Sequence, residues 1–232
     1  MSAYDAFAAV YDDWASHMTE DVDFYVSLAR EAPADAAIVE LAVGNGRVAI
    51  PVARGAGRPV IGIDSSPAML AQARERGEAA RVELELREGD MRELFPEEPT
   101  ALVYCPFRGL LHLPTWHDKR RVFERVSASL RAGGRFAWNV FVFNPHIAAR
   151  IDGVWHEHAG IRNRVDQVPA DNRIDITLDA GGTISLWWTT RSEWEGLIDV
   201  AGLEVEALYG WFDRRPYDDE SEEQVWVARK PA

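Results

Sequence analysis

Three acidic residues and a short glycine turn stand out as the groups able to do chemistry. Glu40 lies inside the apolar run Ile38-Val39-Glu40-Leu41-Ala42-Val43, four residues before Gly44, which opens Gly44-Asn45-Gly46. Glycines there let the backbone turn tightly and approach a ligand closely, with a helix N-terminus behind them. Asp64 closes the run Val60-Ile61-Gly62-Ile63, and Asp90-Met91 follows a third run, Val82 to Leu86. At the carboxyl ends of parallel strands, Asp64 is placed to accept from ribose hydroxyls. Asp90 is placed to accept from an adenine amino group, with Met91 beside the ring. His112 follows Cys105-Pro106-Phe107-Arg108 after a fourth run. It reads as a general base or as a structural histidine. Arg108 reads as a contact for an acidic substrate or as the partner of one of many carboxylates.

The elements that must position these groups alternate. A helix is expected over about Glu20 to Arg30, stopping before Pro33. Strands at 38–43, 60–63, 82–86 and 102–105 are separated by helical segments. Ser66-Pro67 opens one helix and Thr115 caps another, with Asp118 at the positive end of its dipole. Val122, Phe123, Val126 and Leu130 form an apolar stripe on that second helix, which Gly133-Gly134 is expected to end. The Lys119-Arg120-Arg121 run is read as its solvated face. A long fifth strand spans Phe136 to Phe143. Such alternation implies parallel pairing and a doubly wound α/β sheet.

After the fifth strand the pattern changes. Ile174, Ile176 and Leu178 alternate, then Asp179-Ala180-Gly181-Gly182, then Ile184, Leu186 and Trp188 alternate, which is an antiparallel hairpin signal. Ser192 and Glu195 suggest a capping box for a helix that Gly202 ends. Two last strands are expected near Leu203–Tyr209 and Gln224–Ala228. Residues 146–190 are therefore an insertion into one domain spanning 1–232, and its aromatic residues suggest an acceptor-side cover. Trp155, His156 and Trp188 are its candidate substrate contacts, with core packing as the competing role for the tryptophans. His156-Glu157-His158 would share alternate strand faces. Two histidines without a third ligand favour a solvated or substrate-facing strand, so no metal is expected.

Composition narrows the class. There are 25 Lys and Arg against 38 Asp and Glu, a net charge of −13, which repels phosphate backbones and argues against nucleic acid as partner. No apolar run reaches membrane-spanning length, and the first residues lack the features of a signal peptide. The single cysteine, Cys105, excludes an internal disulfide. A cytoplasmic protein with no membrane partner is expected.

The glycine pattern by itself fits more than one cofactor. Gly44-Asn45-Gly46-Arg47-Val48-Ala49 also satisfies a dinucleotide fingerprint, with Asp64 at a suitable distance for an NAD ribose. Glu40 within its apolar strand, the Asp90-Met91 pair and the paired C-terminal strands argue against that choice. At these positions the chain resembles the class I S-adenosylmethionine-dependent methyltransferases. The resemblance rests on Glu40-Leu-Ala-Val-Gly44-Asn-Gly46, Gly62-Ile63-Asp64, Ser66-Pro67-Ala-Met69-Leu, Gly89-Asp90-Met91 and Leu130-Arg-Ala-Gly133-Gly134. It covers roughly residues 36–145 and again about the last forty.

The resemblance implies a Rossmann-like sheet of seven strands with the last antiparallel, plus the small antiparallel β insertion. It implies S-adenosylmethionine as cofactor, S-adenosylhomocysteine as product, and an O or N atom of a small molecule as acceptor. Gly44 and Gly46 would lie against the methionine moiety, with Asp64 on the ribose and Asp90 on the adenine amine. Glu40, Ala42, Asn45, Ser65, Met69, Met91, Cys105 and Phe107 would be further cofactor contacts. Ala42 stands where the family often has its first glycine. Residues 1–35 would form a helical lid. Tyr11, in Ala9-Val10-Tyr11-Asp12, would close over cofactor and acceptor as a second catalytic candidate, unless it belongs to an aromatic stripe with Phe7 and Trp14. An NAD-type oxidoreductase and a non-catalytic cofactor-binding module are the rival assignments.

Overall fold

Alternating apolar strands and helices produce the main sheet. The computed structural model describes residues 19–93, 95–96, 98–158, 160–179 and 181–232. Phe7, Tyr11, Trp14 and most of the expected lid lie outside the described residues. The first described helix, α1 (Glu20–Glu31), carries Glu20, Asp21 and Asp23 in its first turn, where the helix dipole favours negative charge. It ends two residues before Pro33. Then come β1 (Ala37–Leu41), α2 (Ala49–Ala56), β2 (Val60–Asp64), α3 (Pro67–Ala80), β3 (Leu84–Glu88) and β4 (Thr100–Cys105). At the start of α3, Ser66 accepts the Met69 amide and Pro67 occupies the first turn.

A short 3-10 turn (Gly109–His112) precedes α4 (Trp116–Ser129) and β5 (Leu130–Phe141). Thr115 caps α4 by accepting the Asp118 amide, as its sequence suggests. Two expectations for this helix fail. Gly133-Gly134 does not end it; the helix stops at Ser129 and the glycines lie within β5. Gly134 sits against the Thr100 carbonyl and Leu130, where a Cβ would come within 3.1 Å of both. Lys119 is buried rather than solvated, its ammonium donating to the Leu113 carbonyl at 2.7 Å. Arg120 and Arg121 do face outward.

The main sheet has the order β10-β11-β5-β4-β1-β2-β3, with β10 (Glu204–Tyr209) and β11 (Glu223–Arg229) closing the chain. The strands from β1 to β5 pair in parallel, and β11 runs antiparallel to both its neighbours. Thus the expected seven strands are present, with the last one antiparallel. The helix before β10, α6 (Arg191–Val200), is capped by a reciprocal Thr190–Glu193 box, not by Ser192 and Glu195. The true box lies two residues earlier, and Thr190 is the residue with extended cap geometry.

Between β5 and α6 lies a second sheet. A short helix, α5 (Pro145–Ile151), leads into β6 (Trp155–His158), β7 (Ile161–Val168), β8 (Arg173–Leu178) and β9 (Thr183–Trp187), all paired antiparallel in sequence order. The expected hairpin is the β8–β9 half of this four-stranded sheet. Its Ile176, Leu178, Ile184 and Leu186 join the same core cluster as Phe123, Trp138 and Trp194. The insertion therefore shares the core of the main sheet. No described helix is long and apolar enough to cross a membrane.

Candidate functional site

The carboxyl ends of β1, β2 and β4 border a cavity of about 470 Å³, a volume typical of small-ligand sites. Its floor is the turn after β1. Gly44 has a φ of +54° and Gly46 of +79°, backbone that favours glycine. A Cβ at Gly44 would meet only the Ala42 carbonyl, at 4.0 Å, so this backbone opens onto the cavity. A Cβ at Gly46 would instead press on Ile50 at 3.3 Å. Gly46 and Asn45 face the protein interior and support the turn from behind. Ala42 also has a positive φ, +54°, so the position that suits glycine is held in a left-handed conformation by alanine.

Asp64 has a double task that the sequence does not announce. Its carboxylate accepts the Gly44 amide and the Ser66 amide, each at 2.8 Å, tying the glycine turn to the start of α3. A carboxylate has about four acceptor sites, and Asp64 also borders the cavity. Ser65 and Met69 also border the cavity on this side. At the far end, Asp90 and Met91 contribute to the wall. Arg92 returns to Asp90 at 2.5 Å and reaches Asp118 at 2.6 Å. That guanidinium holds the Asp90 carboxyl below the usual carboxylate range.

Glu40 is the most informative wall residue. It is 1% exposed, and its Oε2 has no hydrogen-bond partner among the described residues. Burial pushes its carboxyl up to about 8, against the opposing pull of the Tyr104 hydroxyl and Arg47. Leaving such a buried acceptor unsatisfied costs on the order of 1–3 kcal/mol, which a cationic or N–H donor ligand would recover. Nearby, Arg47 is gripped by the fully buried Asp21 of α1, at 2.6 and 2.8 Å, and lies over the Phe107 ring at 5.0 Å.

The wall after β4 is strained. Phe107 and Arg108 have φ values of +51° and +66°, two successive left-handed residues without glycine. Phe107 is held by its amide donating to Asn139 Oδ1 at 2.9 Å, and the same oxygen accepts the Tyr25 hydroxyl at 3.0 Å. Asn139 in turn donates to Glu223, whose carboxylate grips the Arg108 guanidinium. Arg108 thus points into an internal ion pair and is not part of the cavity wall. Cys105 is fully buried below the wall, and burial pushes its thiol far up. His112 borders the cavity with one edge while protein surrounds the rest of the ring. Desolvation lowers it to about 4, opposed by its hydrogen bond to the Ser185 backbone, so it is neutral near pH 7.

The insertion closes the remaining side through β9: Thr183, Ile184, Ser185 and Trp187 reach the cavity. The other expected contacts do not. Trp155 is exposed between Arg162 and Arg164, whose guanidinium carbons lie 5.1 and 5.7 Å from its ring, and His156 is exposed beside it. Trp188 stacks on Phe143 with ring centroids 4.3 Å apart. Alternation along β9 explains the exchange: Thr183, Ser185 and Trp187 share one pleat face, whereas Ile184 and Leu186 share the other. Of the insertion's tryptophans, Trp155, Trp187 and Trp188, the one that reaches the cavity, Trp187, is absent from the expected substrate contacts. Arg47, Arg92, Asn139 and Glu223 are the site residues that sequence reasoning missed altogether. Among the described residues, no group of three His, Cys, Asp or Glu side chains is gathered as a metal site.

Residues 38–134 match a family model described as a methyltransferase domain. Trans-aconitate 2-methyltransferase of Escherichia coli O157:H7 is 27% identical over 73% of this chain and 65% of its own length. The chain spans about half to two thirds of the length of the curated relatives it matches. Among solved structures, an S-adenosylmethionine-dependent methyltransferase from Clostridium acetobutylicum superimposes with a TM-score of 0.82 at 13% identity, over 100% of both chains. An amino pentose methyltransferase from Micromonospora echinaspora, solved with S-adenosylmethionine bound, gives 0.68 at 23% identity, over 99% of this chain and 97% of that one.

Proposed function

We propose that this chain, which carries the methyltransferase-domain match and the shared fold described above, is a class I S-adenosylmethionine-dependent methyltransferase that transfers a methyl group to an O or N atom of a small molecule. S-adenosylmethionine supplies an electrophilic methyl on a sulfonium. The observation that carries the proposal is the buried Glu40 carboxyl, whose Oε2 has no partner among the described residues, on the wall of a cavity floored by an open glycine turn. An ammonium group beside it would favour its ionised form and recover the cost of its burial. Asp64, while bridging two amides, offers its remaining acceptor capacity to ribose hydroxyls. Asp90 and Met91 flank the adenine end.

The remaining residues orient and exclude water. Phe107, fixed through Asn139 and Glu223, forms a rigid wall, and β9 covers the opposite side. Alignment of reactants alone can be worth roughly 7–11 kcal/mol in such a displacement. His112, neutral and held to the Ser185 backbone, is placed to accept a hydrogen bond or a proton from an acceptor in the cavity. Arg108, Trp155, His156 and Trp188 take no direct part in this scheme.

Isothermal titration calorimetry with S-adenosylmethionine, S-adenosylhomocysteine and NAD tests the assignment. Binding of the first two and not the third is expected, with Glu40→Gln weakening both. Binding of NAD alone would overturn it in favour of an oxidoreductase. Cofactor binding without S-adenosylhomocysteine release on any acceptor in a broad metabolite screen would indicate a non-catalytic module.

A further inference from the structure

The charge of the cavity discriminates between classes of acceptor. The chain's Lys and Arg side chains all fall among the described residues, because segment 1–18 and the other undescribed positions contain none. Of these 25 cations, only Arg47 and Arg92 border the cavity. Both are already committed to carboxylates: Arg47 to the buried Asp21, and Arg92 to Asp90 and Asp118. Arg108, the cation nearest to hand in the sequence, is bound by Glu223 outside the cavity. Asp64 and Asp90 remain on the wall with Asp21 and Asp118 behind the arginines, so the balance is negative even with Glu40 counted as neutral. Among the described residues, the acceptor side adds no anion receptor. Trp187, Ile184, Thr183 and Leu113 supply apolar and hydroxyl surface, and His112 is neutral.

We propose that the methyl acceptor is an amine, carried on a small molecule with apolar or hydroxyl-rich surface, and not a carboxylic acid. This rests on the methyl-transfer assignment above. A concave site lined by one sign of charge concentrates ligands of the opposite sign and repels its own. A carboxylate entering here would be repelled by the net negative charge of the wall, both bordering arginines being paired with carboxylates, whereas an ammonium would be drawn in. The step balances as follows. The ammonium releases its proton to solvent, and the nitrogen lone pair forms the new N–C bond. The S–C bond breaks with its electron pair remaining on sulfur. The products are the N-methylated ammonium and the neutral thioether S-adenosylhomocysteine. A polycarboxylate acceptor, of the kind the name of the Escherichia coli relative specifies, does not suit this charge pattern.

The test uses the full chain saturated with S-adenosylhomocysteine and three probes of one skeleton: benzylamine, benzyl alcohol and benzoate. Calorimetric affinities in that descending order are expected, with the amine roughly tenfold or more tighter than benzoate at low salt. Salt should narrow that gap. Asp118→Asn removes one of the two partners of Arg92 and should shift preference toward benzoate. Benzoate binding as tightly as benzylamine, or no measurable binding of all three, overturns the proposal. So does an amine preference that Asp118→Asn leaves unmoved. Failure to bind S-adenosylhomocysteine at all overturns methyl transfer itself, and the acceptor class falls with it. Cofactor binding together with a benzoate preference removes the acceptor class alone.

Discussion

In the seven-stranded sheet, all of β4 and all but the first residue of β1 are buried, and neighbouring strands run parallel. In the four-stranded sheet, burial alternates: Ile176 and Leu178 of β8 and Ile184 and Leu186 of β9 point into the shared core, and the intervening residues do not. Its other face carries ion pairs between near neighbours, such as Arg164–Asp166 and Arg173–Asp175. Pairs of this kind, partly open to solvent, contribute about 1 kcal/mol or less each. The two regions therefore tolerate change differently. On the proposed function, a substitution at the carboxyl ends of β1 and β2 would disturb packing, the glycine turn and cofactor contacts together. One on the cavity face of β9 would alter the acceptor wall and leave the cofactor wall in place. A fixed scaffold with a variable cover lets one fold serve many acceptors.

The largest separation is expected from Asp64→Ala. This change removes the acceptor of two backbone amides and the proposed ribose contact at once. Charge-assisted hydrogen bonds are worth roughly 1.5–3 kcal/mol each. Affinity for S-adenosylmethionine should fall by about two orders of magnitude or more, with a measurable drop in Tm. Calorimetry and thermal denaturation read the two losses separately. Unchanged affinity would remove Asp64 from the site and make the glycine turn only a structural device.

A smaller effect comes from the cover. Trp187→Ala should raise the acceptor KM or lower kcat by about tenfold, on the order of 1.4 kcal/mol, while S-adenosylmethionine affinity stays within about twofold. Trp155→Ala, on the exposed edge between Arg162 and Arg164, should change neither. The contrast breaks if Trp155→Ala matches Trp187→Ala, or if Trp187→Ala acts chiefly on the cofactor.

The same difference in burial explains what was legible in the sequence. The central strands β1, β2 and β4 could be read because both faces are buried, which leaves continuous apolar runs ending near Gly44, Asp64 and Pro106. The fifth strand was misjudged at its start, since Gly133 and Gly134 signal a helix end as readily as the close approach of two chains. The insertion's hairpin was legible from period-two alternation, but not the side of the pleat that meets the cavity. Choosing Trp155 and Trp188 over Trp187 failed because three residues of one type can be told apart only by the pleat face they occupy. Arg108 looked available because its partner, Glu223, lies 115 residues away. Lys119 looked solvated because its partner is a backbone carbonyl, which leaves no mark in the sequence. The bridging role of Asp64 was hidden for the same reason, as both groups it holds are main-chain amides.

The smallest effect sharpens the picture of the cofactor wall. Ala42 adopts a φ of +54° beside the glycine turn and packs toward Gly109, where a Cβ would lie 3.2 Å from the Ala42 methyl. A left-handed conformation costs a non-glycine residue roughly 1–2 kcal/mol, so Ala42→Gly relieves strain. Against that, glycine loosens the unfolded chain by about 0.4–1 kcal/mol, and the half-buried methyl contact is lost. The opposing effects nearly cancel, and the variant should unfold within about 0.5 kcal/mol of the parent in urea. The same replacement at Ala73, buried in α3 with ordinary helical geometry, has no strain to relieve and should cost about 1 kcal/mol or more. Equal losses at both positions would show that alanine sits in the left-handed turn without strain.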